Sequence, residues 1–243
     1  MRIALISDLH ANALALQAVL ADIKQTGVEQ VVCLGDVATL GPAPHEVLQL
    51  LRELQVPCIL GNHDEFLLDP ALIHRYTESP LVIAAVDHCR AQLSRDELDF
   101  LQSFRHTLDL PLSPAASLML FHGSPQSHME NLLATTPPEA LEGMLGPRRA
   151  TVMAGGHTHV QMLRQHRGVL LVNPGSVGLP FKEFVAGGPP TVLPHAEYAV
   201  IEAEAGTVGV SLRRVALSSR ALRAAAAAWD SPMRLMLMKQ YEE

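Results

Sequence analysis

Along the first two-thirds of the chain, short apolar runs alternate with segments of helical period, and each run ends at or near a residue able to hold a metal ion. This strand-then-helix rhythm constrains the fold more than any single motif, because it commits the chain to an α/β body with parallel strands. IALI at 3–6 leads into NALALQAVLADIK, where Leu16, Val19, Leu20 and Ile23 recur along one helix face and Gly27 supplies a stop. VVCL at 31–34 leads through a loop into PHEVLQLLREL, with Pro44 suited to the first helical turn and Val47, Leu50, Leu51 and Leu54 on one side. CIL at 58–60, LMLF at 118–121 and TVMA at 151–154 are the further runs, and Thr136-Pro137 with Glu139 predicts a capped helix before the last of them.

Residues 65 to about 115 interrupt this rhythm and read as a helical insertion, two helical stretches without a strand, the second opened by the capping box Ser94-x-x-Glu97. From Gln161 onward, QMLRQH, GVLLV, YAVIEAE and VGVSLRRVAL follow with short turns between several of them, which predicts an antiparallel second sheet. Residues 179–196, with four prolines and two glycines, predict an irregular loop. A C-terminal helix is expected over about 218–243, alanine-rich and then Met- and Leu-rich after Pro232. Its apolar stripe suits core packing or contact with a second copy, which makes a homo-oligomer an option. No internal repeat or long linker divides the chain, so residues 1–243 are expected to form one domain.

A chain of 243 residues can bury a sizeable core without disulfide or structural-metal staples. Asp plus Glu outnumber Lys plus Arg by 25 to 18, and no basic run occurs, which argues against extended duplex nucleic acid as a partner. The three cysteines, Cys33, Cys58 and Cys89, are odd in number and widely spaced, which fits a reducing compartment. The apolar start of MRIALISD is too short for a signal segment, and the tract around Ala221–Trp229 is too short to span a bilayer, so a cytoplasmic protein without a membrane partner is expected.

The chemistry lies where the apolar runs end. IALI is followed by Ser7-Asp8-Leu9-His10, VVCL by Gly35-Asp36, CIL by Gly61-Asn62-His63-Asp64, LMLF by His122, and TVMA by Gly155-Gly156-His157-Thr158-His159. The carboxyl ends of parallel strands face one crevice, so these five endings are expected to converge. In an extended segment the i, i+2 spacing of Asp8-x-His10 and of His157-x-His159 sets both side chains on one side. A His-x-His pair is weak evidence alone, since 12 histidines in this length yield roughly 0.6 such pairs by chance. As the last of five ordered endings it gains weight. Carboxylate, imidazole and amide donors without a thiolate suit Mn²⁺, Fe or Zn²⁺.

In this order, Asp8-x-His10, Gly35-Asp36, Gly61-Asn62-His63-Asp64, His122 and Gly156-His157-x-His159 resemble the calcineurin-like metallophosphoesterase superfamily over residues 1 to about 180. The Asn173-Pro174-Gly175-Ser176 turn is similar to its small prokaryotic phosphodiesterase-like branch. The resemblance implies a four-layer αββα sandwich of two mixed β-sheets flanked by helices. It implies two divalent ions, Mn²⁺ foremost: one held by Asp8, His10, Asp36 and His159, the other by Asp36, Asn62, His122 and His157, with Asp36 bridging. It also implies a phosphoesterase in which a metal-bridging hydroxide attacks phosphorus. His63 would serve as general acid, Asp64 would hold that imidazole protonated, and Asn62 and His63 would meet the substrate.

Two departures narrow the activity. Protein phosphatases of this superfamily carry an acidic-arginine pair shortly after the Gly-Asp, whereas Val37-Ala38-Thr39-Leu40-Gly41-Pro42 has neither, which weighs against a phosphoprotein phosphatase. Where relatives of the small branch continue into Pro-Arg, this chain has Pro180-Phe181-Lys182, and Lys182 reads as a solvated loop residue more readily than as a substitute charge. A small phosphodiester is favoured over a phosphomonoester, because a monoester dianion profits from a nearby arginine and none adjoins these motifs. The alternatives are a phosphoprotein or nucleotide phosphatase and a non-catalytic scaffold on the same fold, the last requiring lost ligands where this chain keeps them all.

Overall fold

The computed structural model describes residues 1–204 and 206–242; Ala205 and Glu243 lie outside the described residues. In chain order the elements are β1 (Arg2–Ile6), α1 (Ala13–Ile23), β2 (Gln30–Cys33), α2 (Pro44–Glu53), α3 (Asn62–Leu68), a 3₁₀ turn (Pro70–Leu72), α4 (Ile73–Tyr76), α5 (Pro80–Gln92) and α6 (Arg95–Gln102). There follow β3 (Leu108–Ser113), β4 (Ala116–Leu120), α7 (Pro138–Leu145), β5 (Val152–Ala154), β6 (Met162–His166), β7 (Val169–Asn173), β8 (His195–Glu204), β9 (Thr207–Ala216), α8 (Ser219–Ala228) and α9 (Arg234–Gln240).

The strands form two mixed sheets, one ordered β2-β1-β8-β9 and the other β3-β4-β5-β7-β6. The parallel pairs β1–β2 and β4–β5 come from the strand-helix rhythm, β7 returns parallel to β5 by way of strand β6 without a helix, and the antiparallel partners are added at their flanks. Because successive strand residues point to opposite faces, each strand feeds two cores. Ile3 and Leu5 of β1 meet Leu118 and Leu120 of β4, Val152 and Ala154 of β5 and Ile201 of β8 between the sheets. Ala4 and Ile6 face the other way, onto Leu16 and Val19 of α1, Val47 and Leu51 of α2, and Leu222 of α8. Met119, Met153 and Leu171 pack outward on Leu141 and Leu145 of α7. Three cores thus separate four layers, helix, sheet, sheet, helix, and each fully buried Leu or Ile adds about 1.5–3 kcal/mol.

Several expectations are corrected by this arrangement. The strands after Gln161 do not form a sheet of their own: β6 and β7 extend the β4–β5 sheet, while β8 pairs antiparallel with β1. Their amphipathic pattern shows burial on a sheet face, but the choice of neighbour depends on long-range pairing. The helical insertion ends at Gln102, and Leu108–Ser113 is a strand paired with β4, its half-exposed edge position having weakened the apolar signal. CIL makes only isolated bridges, Cys33 with Cys58 and Ile59 with Arg105. The C-terminal segment is two helices, broken between Trp229 and Met233 around Pro232, with Met233 and Leu237 buried in the same core that α1 and α2 feed. The Ser94–Glu97 capping box is present, whereas α7 begins without a side-chain cap, Thr136 Oγ1 accepting instead from Leu133 N–H. Among the described residues no helix is long and apolar enough to cross a membrane.

Candidate metal centre

The two sheets deliver their strand ends to a common place. Asp8 and His10 follow β1, Asp36 follows β2, His122 follows β4 and His157 and His159 follow β5, while Asn62 and His63 open α3. The proposed ligands are all buried, none exposed beyond 6%. Two groups of ligand atoms form, Asp8 with His10 and His159, and Asp36 with His122 and His157, the atoms within each group lying within 4.8 Å of one another. Asp36 Oδ2 stands 3.4 Å from His122 Nε2 and 3.9 Å from His10 Nε2, so this carboxylate lies between the groups. Asn62 Oδ1 lies 2.9 Å from His157 Nδ1 and 3.1 Å from His122 Nε2, which attaches it to the second group.

The local backbone differs from the extended one that i, i+2 spacing suggested. Asp8, His10, Asp36, His157 and His159 all have left-handed φ, between 43° and 68°. Each such non-glycine residue costs about 1–2 kcal/mol and persists only where its surroundings hold it. Here they do: Asp8 N–H donates to Gly35 O, His10 N–H to Asp36 O and His157 N–H to Asp8 Oδ2. The close approach also needs glycine. A Cβ on Gly156 would lie 2.5 Å from Asp8 Oδ2 and nearer still to Ser7 Oγ.

A surrounding set of hydrogen bonds aims the imidazoles. His122 Nδ1–H donates to Leu34 O at 2.7 Å and His159 Nδ1–H to Leu179 O at 2.6 Å, turning both Nε2 atoms toward the carboxylates. His10 Nδ1 lies 3.3 Å from Thr39 Oγ1. The Asn173-Pro174-Gly175-Ser176 turn, legible in the sequence only as a turn, braces two ligand loops at once. Asn173 Nδ2–H donates to Gly156 O and Thr158 Oγ1, and Ser176 Oγ–H donates to Asp8 O while accepting from Leu179 N–H.

Electrostatics separate the imidazoles. Burial opposes a charged His122, but Asp36 and Asp8 outweigh it and raise its pKa to about 10; Asp8 likewise raises His159 despite burial. Burial and the charge of His122 push His157 down to about 3, and burial and His159 push His10 well below the ordinary value. Burial would raise Asp8, yet His159 and His122 hold it at about 2. Two carboxylates therefore stay ionised, balanced in the metal-free centre by the charged His122 and His159, and cations that take the place of those two protons would meet the same carboxylate and imidazole lone pairs. Asp8 Oδ1 and His157 Nε2 are buried without a hydrogen-bond partner, and lone pairs left open in this way among carboxylate and imidazole groups fit divalent metal ions.

The structure brings together every residue expected to be a ligand and sets His63 beside them, its ring 5.1 Å from that of His10 and its backbone N–H donating to Asp36 Oδ1. Burial lowers the His63 pKa, with Asp36 opposing, and its Nδ1 has no partner. The expected role of Asp64 is corrected. Its carboxylate accepts N–H bonds from Asp36, Gly61 and Val37, at 2.8, 2.9 and 2.9 Å, and does not reach the His63 ring. Consecutive residues on a helix do not face each other, so Asp64 instead closes the start of α3 and fixes the backbone of Asp36. Burial and Asp36 raise its pKa to about 7, against those three donors. Lys182 is exposed, as expected of a loop residue. Sequence reasoning missed Tyr76, whose ring stands 6.0 Å from those of His63 and His157, and Phe181, stacked 4.2 Å from His159; a lone aromatic in an insertion or loop carries no periodic signal.

Comparison with known proteins agrees with this geometry. Residues 1–197 match the model of the calcineurin-like phosphoesterase superfamily domain. The chain is 28% identical over 193 residues to an uncharacterized protein of Methanocaldococcus jannaschii, covering 73% of this chain and 76% of that one. It is 26% identical over 190 residues to the phosphodiesterase YfcE of Escherichia coli, covering 74% and 81%. The solved structure of a metallophosphoesterase from Sphaerobacter thermophilus superposes with a TM-score of 0.73 at 25% identity, covering 99% of this chain and 98% of that one. With two sheets in four layers and a ligand set drawn from both, the chain belongs to the calcineurin-like phosphoesterase superfamily.

Proposed function

We propose that the protein hydrolyses a small phosphodiester with the help of two divalent ions, Mn²⁺ foremost. The observation that carries this reading is the pair of ligand groups on either side of one carboxylate, Asp36, with the His63 ring beside His10 and the His63 backbone bonded to Asp36. The phosphodiesterase name of the Escherichia coli relative supports the diester. When bound, such an ion pair supplies charge neutralisation for phosphate oxygens and lowers the pKa of a water for in-line attack.

The chain's own residues do the rest. Asp8, His10 and His159 on one side and Asn62, His122 and His157 on the other would hold the ions, with Asp36 shared. The hydrogen bonds from His122 and His159 to backbone carbonyls keep these donors pre-aimed, so little reorganisation is needed during the reaction. His63 is placed to give a proton to the departing oxygen, and an anionic ester beside it adds negative charge that favours its protonated form. Asp64 acts on the reaction through the backbone of Asp36 and Gly61.

The test is hydrolysis of bis-p-nitrophenyl phosphate and p-nitrophenyl phosphate, with Mn²⁺ added and after chelation. Metal-dependent turnover with a higher kcat/KM on the diester is expected; a higher value on the monoester contradicts the diester, and no metal-dependent turnover contradicts the enzyme. His63→Ala should lose far more turnover on an alkyl ester than on an ester with a very good leaving group, and equal losses remove its acid role.

A further inference from the structure

The ligand residues are buried, and two aromatic rings border them. Phe181, from the loop after the Asn173–Ser176 turn, stacks on His159 at 21° between planes and 4.2 Å between centroids, its N–H donating to His159 O. Tyr76 closes α4, where Thr77 turns the chain to extended geometry. Its ring meets His63 edge-on, at 80° and 6.0 Å, and lies 6.0 Å from His157 and 5.5 Å from Phe66. His63 and His157 are exposed by 5% and 6% while Tyr76 is 42% exposed. Tyr76 is therefore where the centre meets solvent on the side of the acid and of one ligand group. A half-exposed aromatic ring held beside polar imidazoles and Phe66 puts apolar surface next to His63, within reach of a group bound there.

We propose that Tyr76 is a positioning residue that stacks on a flat aromatic group esterified to the phosphate, so that this site prefers aromatic phosphoesters over alkyl ones. The inference rests on the phosphoesterase reading above, since His63 marks the side on which the departing group lies. The chemistry is favourable: a ring and a planar group gain from offset or edge contacts beyond their apolar area, and the gain does not depend on hydrogen-bond readout. The phosphate itself is left to the metal ligands and His63, and Tyr76 decides which organic group is carried with it. That division predicts a separable effect, on affinity for the organic group and not for the charged head.

Phenylphosphonate and methylphosphonate share a charged head that is not hydrolysed and differ in the flat ring, so calorimetric titration of both into the Mn²⁺-loaded protein isolates the ring's contribution. The wild-type protein is expected to bind phenylphosphonate about tenfold more tightly than methylphosphonate. Tyr76→Ala and Tyr76→Leu should both reduce that preference to about twofold or less while leaving methylphosphonate affinity within about twofold, and Tyr76→Phe should keep it. A merely structural role for Tyr76 would weaken both ligands together. An unchanged preference in Tyr76→Ala, a preference retained by Tyr76→Leu, or none in the wild type overturns the proposal. If the wild type binds neither phosphonate and turns over neither nitrophenyl ester, the phosphoesterase reading itself fails; binding of both with an intact preference in the variants defeats only the role of Tyr76.

Discussion

Gly156→Ala adds a single methyl group at the point where the two sheets bring their ligand loops together. The new Cβ would lie 2.5 Å from Asp8 Oδ2 and 2.8 Å from Ser7 Cβ, with Ser7 Oγ closer than either. Neither side can yield easily. Gly156 N–H donates to His122 O at 2.8 Å and its carbonyl accepts from Asn173 at 2.7 Å, while Ser7 and Asp8 are fully buried at the end of β1. Overpacking of this kind costs about 1–3 kcal/mol. Asp8 Oδ2, which accepts His157 N–H, must move, so a loop from each ligand group shifts together. Metal affinity should fall about tenfold to a hundredfold, the range expected when the support of a ligand is disturbed. Gly143→Ala is the control: its Cβ meets nothing within 4 Å on α7, and alanine there should stabilise by up to about 1 kcal/mol through helix propensity. Urea unfolding with and without Mn²⁺, together with calorimetric titration of the metal, reads both effects. Wild-type stability and metal affinity in Gly156→Ala would refute the argument that close approach of β1 and β5 loops builds the centre.

Ser176→Ala removes one bond to Asp8 O and strands the buried Leu179 N–H, and should cost about 1–3 kcal/mol in urea unfolding. Because Leu179 O holds His159 Nδ1, titration should also find metal binding weakened about tenfold, and an unchanged affinity would mean the turn does not brace the site. Far from the centre, hydrogen bonds from Arg213 and Tyr198 hold the Asp22 carboxyl below its ordinary pKa. A depressed folded-state value stabilises above the unfolded pKa, about 3.9, and that contribution is lost as pH falls through the lower folded value. The stability deficit of Arg213→Met should therefore be present at neutral pH and shrink as pH drops below about 4; a deficit independent of pH would assign it to lost packing over Tyr198 instead.

The central strands and the ligand set were legible because both rest on local patterns: apolar runs of strand length, helical spacing at Leu16, Val19 and Ile23, and ligand-type residues where the runs end. Partnership was not legible. Nothing local in YAVIEAE says that it lies antiparallel beside β1 while GVLLV lies beside β5, since burial on one sheet face looks the same with either neighbour. The left-handed turns at Asp8, His10, Asp36, His157 and His159 were hidden for a related reason: the bonds that hold them come from distant parts of the chain, from the end of β2 at Asp8 and His10 and from the other sheet at His157, not from their own preferences. Asp64 shows the limit of adjacency, its neighbour His63 in sequence being turned away from its carboxylate by the helix both begin.

The central claim is that two ligand groups, sharing Asp36, hold two divalent ions. Metal content of the purified, Mn²⁺-saturated protein tests it directly, alongside His157→Ala and His159→Ala, which remove one ligand from different groups. The account predicts two ions per chain in the wild type and a single tightly held ion in each variant. One ion or none in the saturated wild type, or two retained at full affinity in both variants, would contradict it.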